Sequence, residues 1–309
     1  MKKKLIILSG FLGSGKTSFL GLLLKRYQHL RLAVLLNDFG EAPVDSTLLD
    51  IADLENCHAK DSLIEIAGGS VFCACLKESF VKALISLAET DVELVIIEAS
   101  GMSDPAGMSA LLHQAKLGDH FEKPTVICLF DPVKSLKLSH VLEVIPRQVK
   151  AADAVILSKV DISSSNELET ARDYVQKHNP QSPIYEHGLE IEGALECLDP
   201  DGSLDRAVPP AAGGSLGFNT FENRPDSFIV HSAPSGVDAL LSAIENEKNI
   251  LRVKGYLPEG DGFVYLSDTG KGFERRKTSS APAPLTIICS PGTGTNIKET
   301  LLKQELMSN

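Results

Sequence analysis

Eight residues near the start of the chain, Gly10-Phe11-Leu12-Gly13-Ser14-Gly15-Lys16-Thr17, have the types and spacing to hold a phosphate chain. They follow the pattern of a glycine, four residues and then Gly-Lys-Thr. Glycines without a Cβ let backbone N–H groups close around a phosphate, and the start of the following helix favours the same negative charge. Lys16 is positioned to bridge β- and γ-phosphate oxygens, and the Thr17 hydroxyl to bind Mg²⁺. An apolar run, Leu5–Leu8, precedes the loop and an amphipathic stretch, Lys16–Tyr27, follows it, which is the strand-to-helix setting the loop requires.

Two further stretches carry chemistry that fits a nucleotide. Leu94–Ile97 is apolar throughout and ends in Glu98-Ala99-Ser100-Gly101. A carboxylate at the C-terminal tip of a buried strand faces the ligand edge of an open α/β sheet, so Glu98 is expected to hold a Mg²⁺-bound water and the Gly101 N–H to sense the γ-phosphate. After Ala154–Leu157 comes Ser158-Lys159-Val160-Asp161, similar to the guanine-recognition motif Asn-Lys-x-Asp with serine in the first place. The Asp161 carboxylate can accept both N1–H and the 2-amino hydrogens of guanine, which adenine does not offer, and the Lys159 stem can lie against the base. A mismatched base would leave that carboxylate without a partner. Guanine is therefore expected over adenine.

The elements that must carry these residues are legible in the hydrophobic pattern. Leu5–Leu8, Leu32–Leu36, Leu94–Ile97, Val126–Phe130 and Ala154–Leu157 are short runs apolar at every position, as strands buried on both faces should be. Amphipathic segments lie between them, among them Phe80–Glu89 and Leu168–Lys177. The alternation predicts an α/β fold, a doubly wound and mainly parallel sheet. Asp199–Gly217 is rich in proline and glycine and reads as a linker. It divides a nucleotide domain over 1–198 from a smaller α+β domain over 218–309, for which Phe228–Val230, Leu251–Val253, Phe263–Leu266 and Leu285–Cys289 are strand candidates. Val237–Glu245 and Asn296–Leu306 are the corresponding helix candidates.

Composition narrows the partners. The 309 residues are 43% hydrophobic and 23% charged, ordinary for a soluble globular protein. A net charge of −11 gives no general affinity for nucleic acid or for an anionic membrane. Lys2-Lys3-Lys4 before Leu5–Leu8 imitates a secretory leader, but Ser9-Gly10 interrupts the apolar run too early, and a cytoplasmic protein is expected. Six scattered cysteines make no disulfide scaffold, and only Cys73 and Cys75 stand close enough to share chemistry.

With these motifs in place, the chain resembles the CobW-type family of metal-trafficking P-loop GTPases, related to the urease- and hydrogenase-maturation GTPases. The phosphate loop matches closely, including Phe11-Leu12 after the first glycine. Asn37-Asp38-Phe39-Gly40-Glu41, followed by Val44-Asp45, resembles the family's switch segment, and Glu98–Pro105 its Walker B equivalent. Gln148–Asp161, Asn179-Pro180 and Leu251-Arg252-Val253-Lys254-Gly255-Tyr256 also fall into the family's pattern. The resemblance implies GTP and Mg²⁺ as cofactors, nucleotide contacts from Gly10, Gly13, Ser14, Gly15, Lys16, Thr17, Ser18, Gly101, Ser158, Lys159 and Asp161, and Lys16, Thr17 and Glu98 as the catalytic set.

The family's Cys-x-Cys-Cys metal motif corresponds to Cys73-Ala74-Cys75-Leu76, in which the third thiol is absent. Two thiolates one residue apart do not complete a tetrahedral zinc site. Asp38 and Glu41 in the switch segment are candidates to supply oxygen ligands, and Cys57 or His58 to approach from the preceding loop. Against this stands the reading of Cys73 and Cys75 as small packing residues, or as a redox pair, for which Cys-x-Cys spacing is poorly suited.

The resulting expectation is a GTP-hydrolysing metallochaperone that moves zinc or cobalt to a client metalloprotein or cofactor enzyme, with a homodimer as a further partner. The motifs contain no water-orienting residue, so slow intrinsic turnover is expected. The alternative is a nucleotide-switched client-binding module that serves a preassembled metallocofactor such as a corrinoid, without tight binding of the free metal. A P-loop kinase or ATPase is disfavoured by Ser158–Asp161 and by the lack of any acceptor-binding motif.

Overall fold

A computed structural model describes residues 2–27, 30–37, 63–66, 77–187, 225–281, 283–304 and 307, with backbone alone at 37, 63–66, 77–79 and 108–110. The chain divides into two compact units, the first holding the phosphate loop and the second the C-terminal residues from Asn219 onward.

In the first unit, β1 (Lys4–Ser9) leads through the loop into α1 (Lys16–Arg26). There follow β2 (Leu32–Asn37), β3 (Leu63–Ile66), α2 (Lys77–Ala88), β4 (Leu94–Glu98), α3 (Gly107–Gln114) and β5 (Thr125–Phe130). The unit continues with α4 (Lys134–Leu138), α5 (Val144–Lys150), β6 (Ala154–Leu157), a 3₁₀ turn at Val160–Ile162, α6 (Ser165–His178) and β7 (Ile184–Glu186). The seven strands form one sheet in the order β3-β2-β4-β1-β5-β6-β7, and every pairing is parallel. The predicted doubly wound sheet is therefore present.

Leu5–Leu8, Leu32–Leu36, Leu94–Ile97, Val126–Phe130 and Ala154–Leu157 are apolar at every position because each face of the sheet has its own core. Ile6, Leu8, Val34, Leu36, Ile96, Ile127 and Leu129 pack on one side with Phe19, Leu20, Leu23 and Leu24 of α1. Leu5, Ile7, Ala33, Leu35, Val95 and Ile97, the alternate positions, pack on the other with Phe80, Leu84 and Leu87 of α2 and with Leu111 and Leu112. Period-two geometry sends neighbours to opposite faces, so a strand covered on both faces cannot alternate with polar residues. β1 lies at the centre, where α1 carries the chain one way to β2 and the later strands β5, β6 and β7 build the other way. Such a reversal of strand order opens the crevice in which α/β sheets bind ligands.

α6 starts and stops on recognisable chemistry. Ser164 and Glu167 make a reciprocal capping box that starts α6 three residues earlier than the apolar pattern predicted. At its other end Asn179 donates its side-chain amide to the carbonyls of Val149, at 2.9 Å, and Ala152, at 2.8 Å, tying α6 to the end of α5.

The second unit comprises β8 (Asp226–Val230), α7 (Val237–Glu245), β9 (Ile250–Glu259), β10 (Gly262–Asp268), β11 (Phe273–Thr278), β12 (Leu285–Cys289) and α8 (Gly294–Lys303). Its five strands run in the order β11-β10-β9-β12-β8 with antiparallel pairings, an α+β arrangement as expected. Phe228, Val230, Val253, Leu257, Val264, Leu285 and Ile287 form its core with Leu240, Ile244, Ile297 and Leu301 of the two helices. Gly255, singled out within the Arg-Val-Lys-Gly element, passes so close to β12 that a Cβ there would meet the Pro284 carbonyl oxygen at 2.2 Å.

Candidate nucleotide site

The phosphate loop is built almost wholly from its own backbone. Gly10, Gly13 and Gly15 take φ of 132°, 76° and 91°, a region open to glycine and costly for other residues. A Cβ on Gly10 would also stand 2.2 Å from the Leu129 carbonyl oxygen of β5. Gly15 is the left-handed residue from which α1 begins, and no side chain caps that helix start. The Lys16 ammonium folds back over the loop and donates to the carbonyls of Gly10, at 3.0 Å, and Phe11, at 3.2 Å. Ser14 is buried, and Ser18 projects from the first turn of α1 into solvent.

The neighbouring strand supplies the carboxylate. Glu98 ends β4, and register pairs it with Leu8 of β1. Its Oε1 accepts from the Thr17 hydroxyl at 2.9 Å, bringing together two residues 81 positions apart. The loop beyond Glu98 lies directly on the phosphate loop. A Cβ on Gly101 would stand 2.6 Å from the Leu12 nitrogen and 2.8 Å from its Cα, so only glycine permits this approach. Gln148 of α5, 1% exposed, donates its amide to the Gly101 and Ser103 carbonyls, each at 3.0 Å, and fixes that loop from behind.

The third element adjoins the first. Ser158 lies beside the loop, with its Cβ 3.9 Å from the position a Cβ on Gly15 would take. Its N–H and its hydroxyl both donate to the Phe130 carbonyl, at 2.9 and 3.3 Å. Lys159 has φ 53° and pairs with Asp131, Nζ to Oδ2, at 2.8 Å. Asp161 follows in the 3₁₀ turn with its carboxylate exposed. Beneath the loop, Cys128 of β5 pairs in register with Ser9; burial pushes its thiol up to about 12, with the Lys16 ammonium pulling the other way.

The structure thus brings together Gly10–Thr17, Glu98, Gly101 and Ser158, drawn from three separate stretches of sequence, with Lys159 and Asp161 following Ser158 in the same turn. The metal candidates Asp38, Glu41, Cys73 and Cys75, with Cys57 and His58, lie outside the described residues, as does the linker 199–217. Among the described residues no group of three or more His, Cys, Asp and Glu side chains is placed to hold a metal ion. No helix there is long and apolar enough to cross a membrane. Sequence reasoning missed Asp131 and Gln148. Asp131 carries the signal already used for Glu98, an acidic residue directly after a buried strand. Gln148 stood at the start of the family-like stretch Gln148–Asp161, with nothing to assign it a role.

A glycine-cornered loop between the central strand of a parallel sheet and a helix, with a carboxylate one strand away, defines a P-loop nucleotide-binding domain. More narrowly, the chain belongs to the CobW/HypB/UreG family, whose nucleotide-binding domain matches residues 4–186. It is 24% identical over 284 residues to the zinc chaperone CobW of Sinorhizobium sp, covering 81% of this chain and 80% of that protein. To zinc-regulated GTPase metalloprotein activator 1 of Schizosaccharomyces pombe it is 30% identical over 206 residues, covering 63% of this chain and about half, 48%, of that protein. Among solved structures, Zn(II)-bound YjiA GTPase from E. coli aligns over 100% of both chains with 15% identity and a TM-score of 0.44.

Proposed function

We propose that the protein binds and hydrolyses GTP and couples nucleotide state to delivery of a transition metal, zinc or cobalt, to a client metalloprotein or cofactor enzyme. The observation that carries the nucleotide half is the adjacency of Ser158 to Gly15, which sets a guanine-type turn beside a phosphate loop. In this reading the loop amides and Lys16 hold the β- and γ-phosphates, the Lys159 stem lies against the base, and Asp161 accepts the guanine N1–H and 2-amino hydrogens. Ser18, at the open start of α1, adds a further contact, and the Gly101 N–H senses the γ-phosphate.

The Thr17 hydroxyl and the Glu98 carboxylate, 2.9 Å apart, are an all-oxygen donor pair that fits Mg²⁺. Thr17 and Glu98 would hold the ion there, and it would supply charge neutralisation for the phosphates. Positioning and charge then account for catalysis, with Lys16 stabilising charge on the transferred group and Glu98 orienting Thr17. Slow intrinsic turnover, raised by metal, by dimerisation or by a client, belongs to the same reading.

The metal half is supported by family membership and by the names of the relatives, a zinc chaperone and a zinc-regulated GTPase. Cys73 and Cys75, with Asp38 and Glu41, remain the proposed ligands. A nucleotide domain over 1–198, a linker over 199–217, a client-facing domain over 218–309 and a cytoplasmic location complete the proposal.

The test is equilibrium binding of GDP and ADP, followed by zinc and cobalt titration against competing chelators with and without Mg²⁺–GTP. Preference for GDP and metal affinity that changes with nucleotide are expected. Equal affinity for the two nucleotides removes the GTPase assignment, and metal binding indifferent to nucleotide removes the coupling.

A further inference from the structure

We propose that Asp131 is a positioning residue for guanine recognition: its buried carboxylate grips the Lys159 ammonium and so sets the turn that presents Asp161. The inference rests on the guanine reading above and names the residue that makes it work in a chain with serine at the first place of the motif.

Lys159 needs holding. Among the described residues only Lys116 and Lys159 have a positive φ without being glycine. That conformation crowds the Cβ against the following carbonyl and costs a lysine on the order of 1 kcal/mol. Its carbonyl is engaged from ahead, by the Ser163 hydroxyl at 2.8 Å and the Ile162 N–H at 3.2 Å. Its side chain is engaged from behind, 2.8 Å from Asp131, a pair in which the lysine is 20% and the aspartate 2% exposed. With both ends fixed, the left-handed residue becomes a rigid corner and the 3₁₀ turn bearing Asp161 starts at a defined angle.

Asp131 is itself immobile. Its Oδ1 accepts from the Val133 and Lys134 N–H groups, each at 2.9 Å, and its own N–H donates to the Ser135 hydroxyl at 3.3 Å. Phe130, the residue before it, accepts both bonds from Ser158. The last residue of β5 and the one directly after it thus hold the first two of the guanine turn. A buried ion pair is weak evidence for net stability, because desolvation offsets its attraction. Fixing direction is the use that this geometry supports, and the direction it fixes is that of the base-reading side chains.

A role confined to starting α4 would predict something different, and Asp131→Asn separates the two. Asparagine keeps an oxygen for the Val133 and Lys134 amides and removes only the charge facing Lys159. Equilibrium affinities of the full chain for GDP, IDP and pyrophosphate give the readout. IDP has hypoxanthine, which keeps N1–H and lacks the 2-amino group, so the GDP-to-IDP ratio reports the 2-amino contact proposed for Asp161. The ratio is expected to fall about tenfold in Asp131→Asn while pyrophosphate affinity stays within about twofold. Lys159→Met is expected to lower the ratio similarly, and the double variant to lower it little further, as coupled residues do. If the asparagine variant does not fold, Asp131→Ser, which also offers a capping oxygen, replaces it in the same comparison. A ratio unchanged from wild type, or a uniform loss for all three ligands with a lowered melting temperature, overturns the inference. A wild-type chain that does not distinguish GDP from IDP overturns instead the guanine reading on which it rests.

Discussion

The proposed phosphate end and the proposed base end of the site are held by different means. Around Gly10–Lys16 the chain organises itself: three glycines with positive φ shape the loop, and the Lys16 ammonium closes on carbonyls five and six residues back. Ser158–Asp161 is shaped from outside, by the carbonyl of Phe130 and the carboxylate of Asp131 at the end of β5. Phosphate geometry is the same for every nucleotide, and a contiguous motif suffices for it. Base recognition needs side chains aimed in one direction, and a short turn with an unfavourable φ obtains that aim from a neighbouring strand.

The largest expected effect tests the phosphate end. In Gly101→Ala the new methyl would meet the Leu12 backbone at 2.6 to 2.8 Å, where no side chain can yield. The loops must separate, at about 3 kcal/mol of folding stability for overpacking against backbone. Affinities for GDP, ADP and pyrophosphate should fall together. Denaturant unfolding and ligand titration check this; unchanged midpoints and affinities would show that the two loops do not depend on each other.

Asp161→Asn breaks the base end alone. GDP affinity is expected to fall about thirtyfold as the paired acceptors are lost, with ADP and pyrophosphate unaffected. A uniform decline would mean that the two ends are not separable.

This division also explains what the sequence made legible. The loop and the strands around it were readable because their signals are local: fixed glycine spacing, and runs apolar at every position that only a sheet covered on both faces requires. α7 and β12 matched their apolar patterns residue for residue. β11 was not readable, because Phe-Glu-Arg-Arg-Lys-Thr is an edge strand whose charges face solvent and carry no alternation toward a core. β7, three residues long, offered too little pattern. The supports at Asp131 and Gln148 act across 28 and 47 residues of sequence, to Lys159 and to Gly101, and no local spacing reveals such pairings.

Gln148→Leu asks whether the loop after Glu98 belongs to the phosphate end. It removes both amide donations and leaves the Gly101 and Ser103 carbonyls without that donor, at about 1.5 kcal/mol of stability. GTP turnover should decline more than GDP affinity, since the loop is proposed to sense the γ-phosphate. Steady-state hydrolysis set beside GDP titration measures the split, and a matched decline would confine Gln148 to folding.

β5 serves both ends, and its packing can be read by pH. The Cys128 thiol is raised from 9.0 to about 12, chiefly by burial. A thiol whose pKa is higher folded than unfolded contributes its full stability below pH 9 and loses it as pH rises toward 12. By pH 10 the loss is about 1 kcal/mol. Unfolding midpoints between pH 8 and 10.5 should therefore decline less steeply in Cys128→Ala than in wild type. Parallel slopes would mean that Cys128 ionises as readily folded as unfolded.

The smallest expected effect sharpens the account of the base end most. The serine at the first place of the guanine motif holds its turn through two donations to one carbonyl, from the N–H at 2.9 Å and from the hydroxyl at 3.3 Å. The hydroxyl bond is the longer, and the main-chain bond survives any substitution except proline. Ser158→Ala should therefore cost about 0.5 kcal/mol at most, less than threefold in GDP affinity, with the preference over IDP intact. Were that preference to collapse in Ser158→Ala, the serine hydroxyl would be the support that matters and β5 would hold the turn through Phe130. Its survival, beside a collapse in Asp131→Asn, would assign the direction of base recognition to the charged pair and leave Ser158 the task of packing against Gly15.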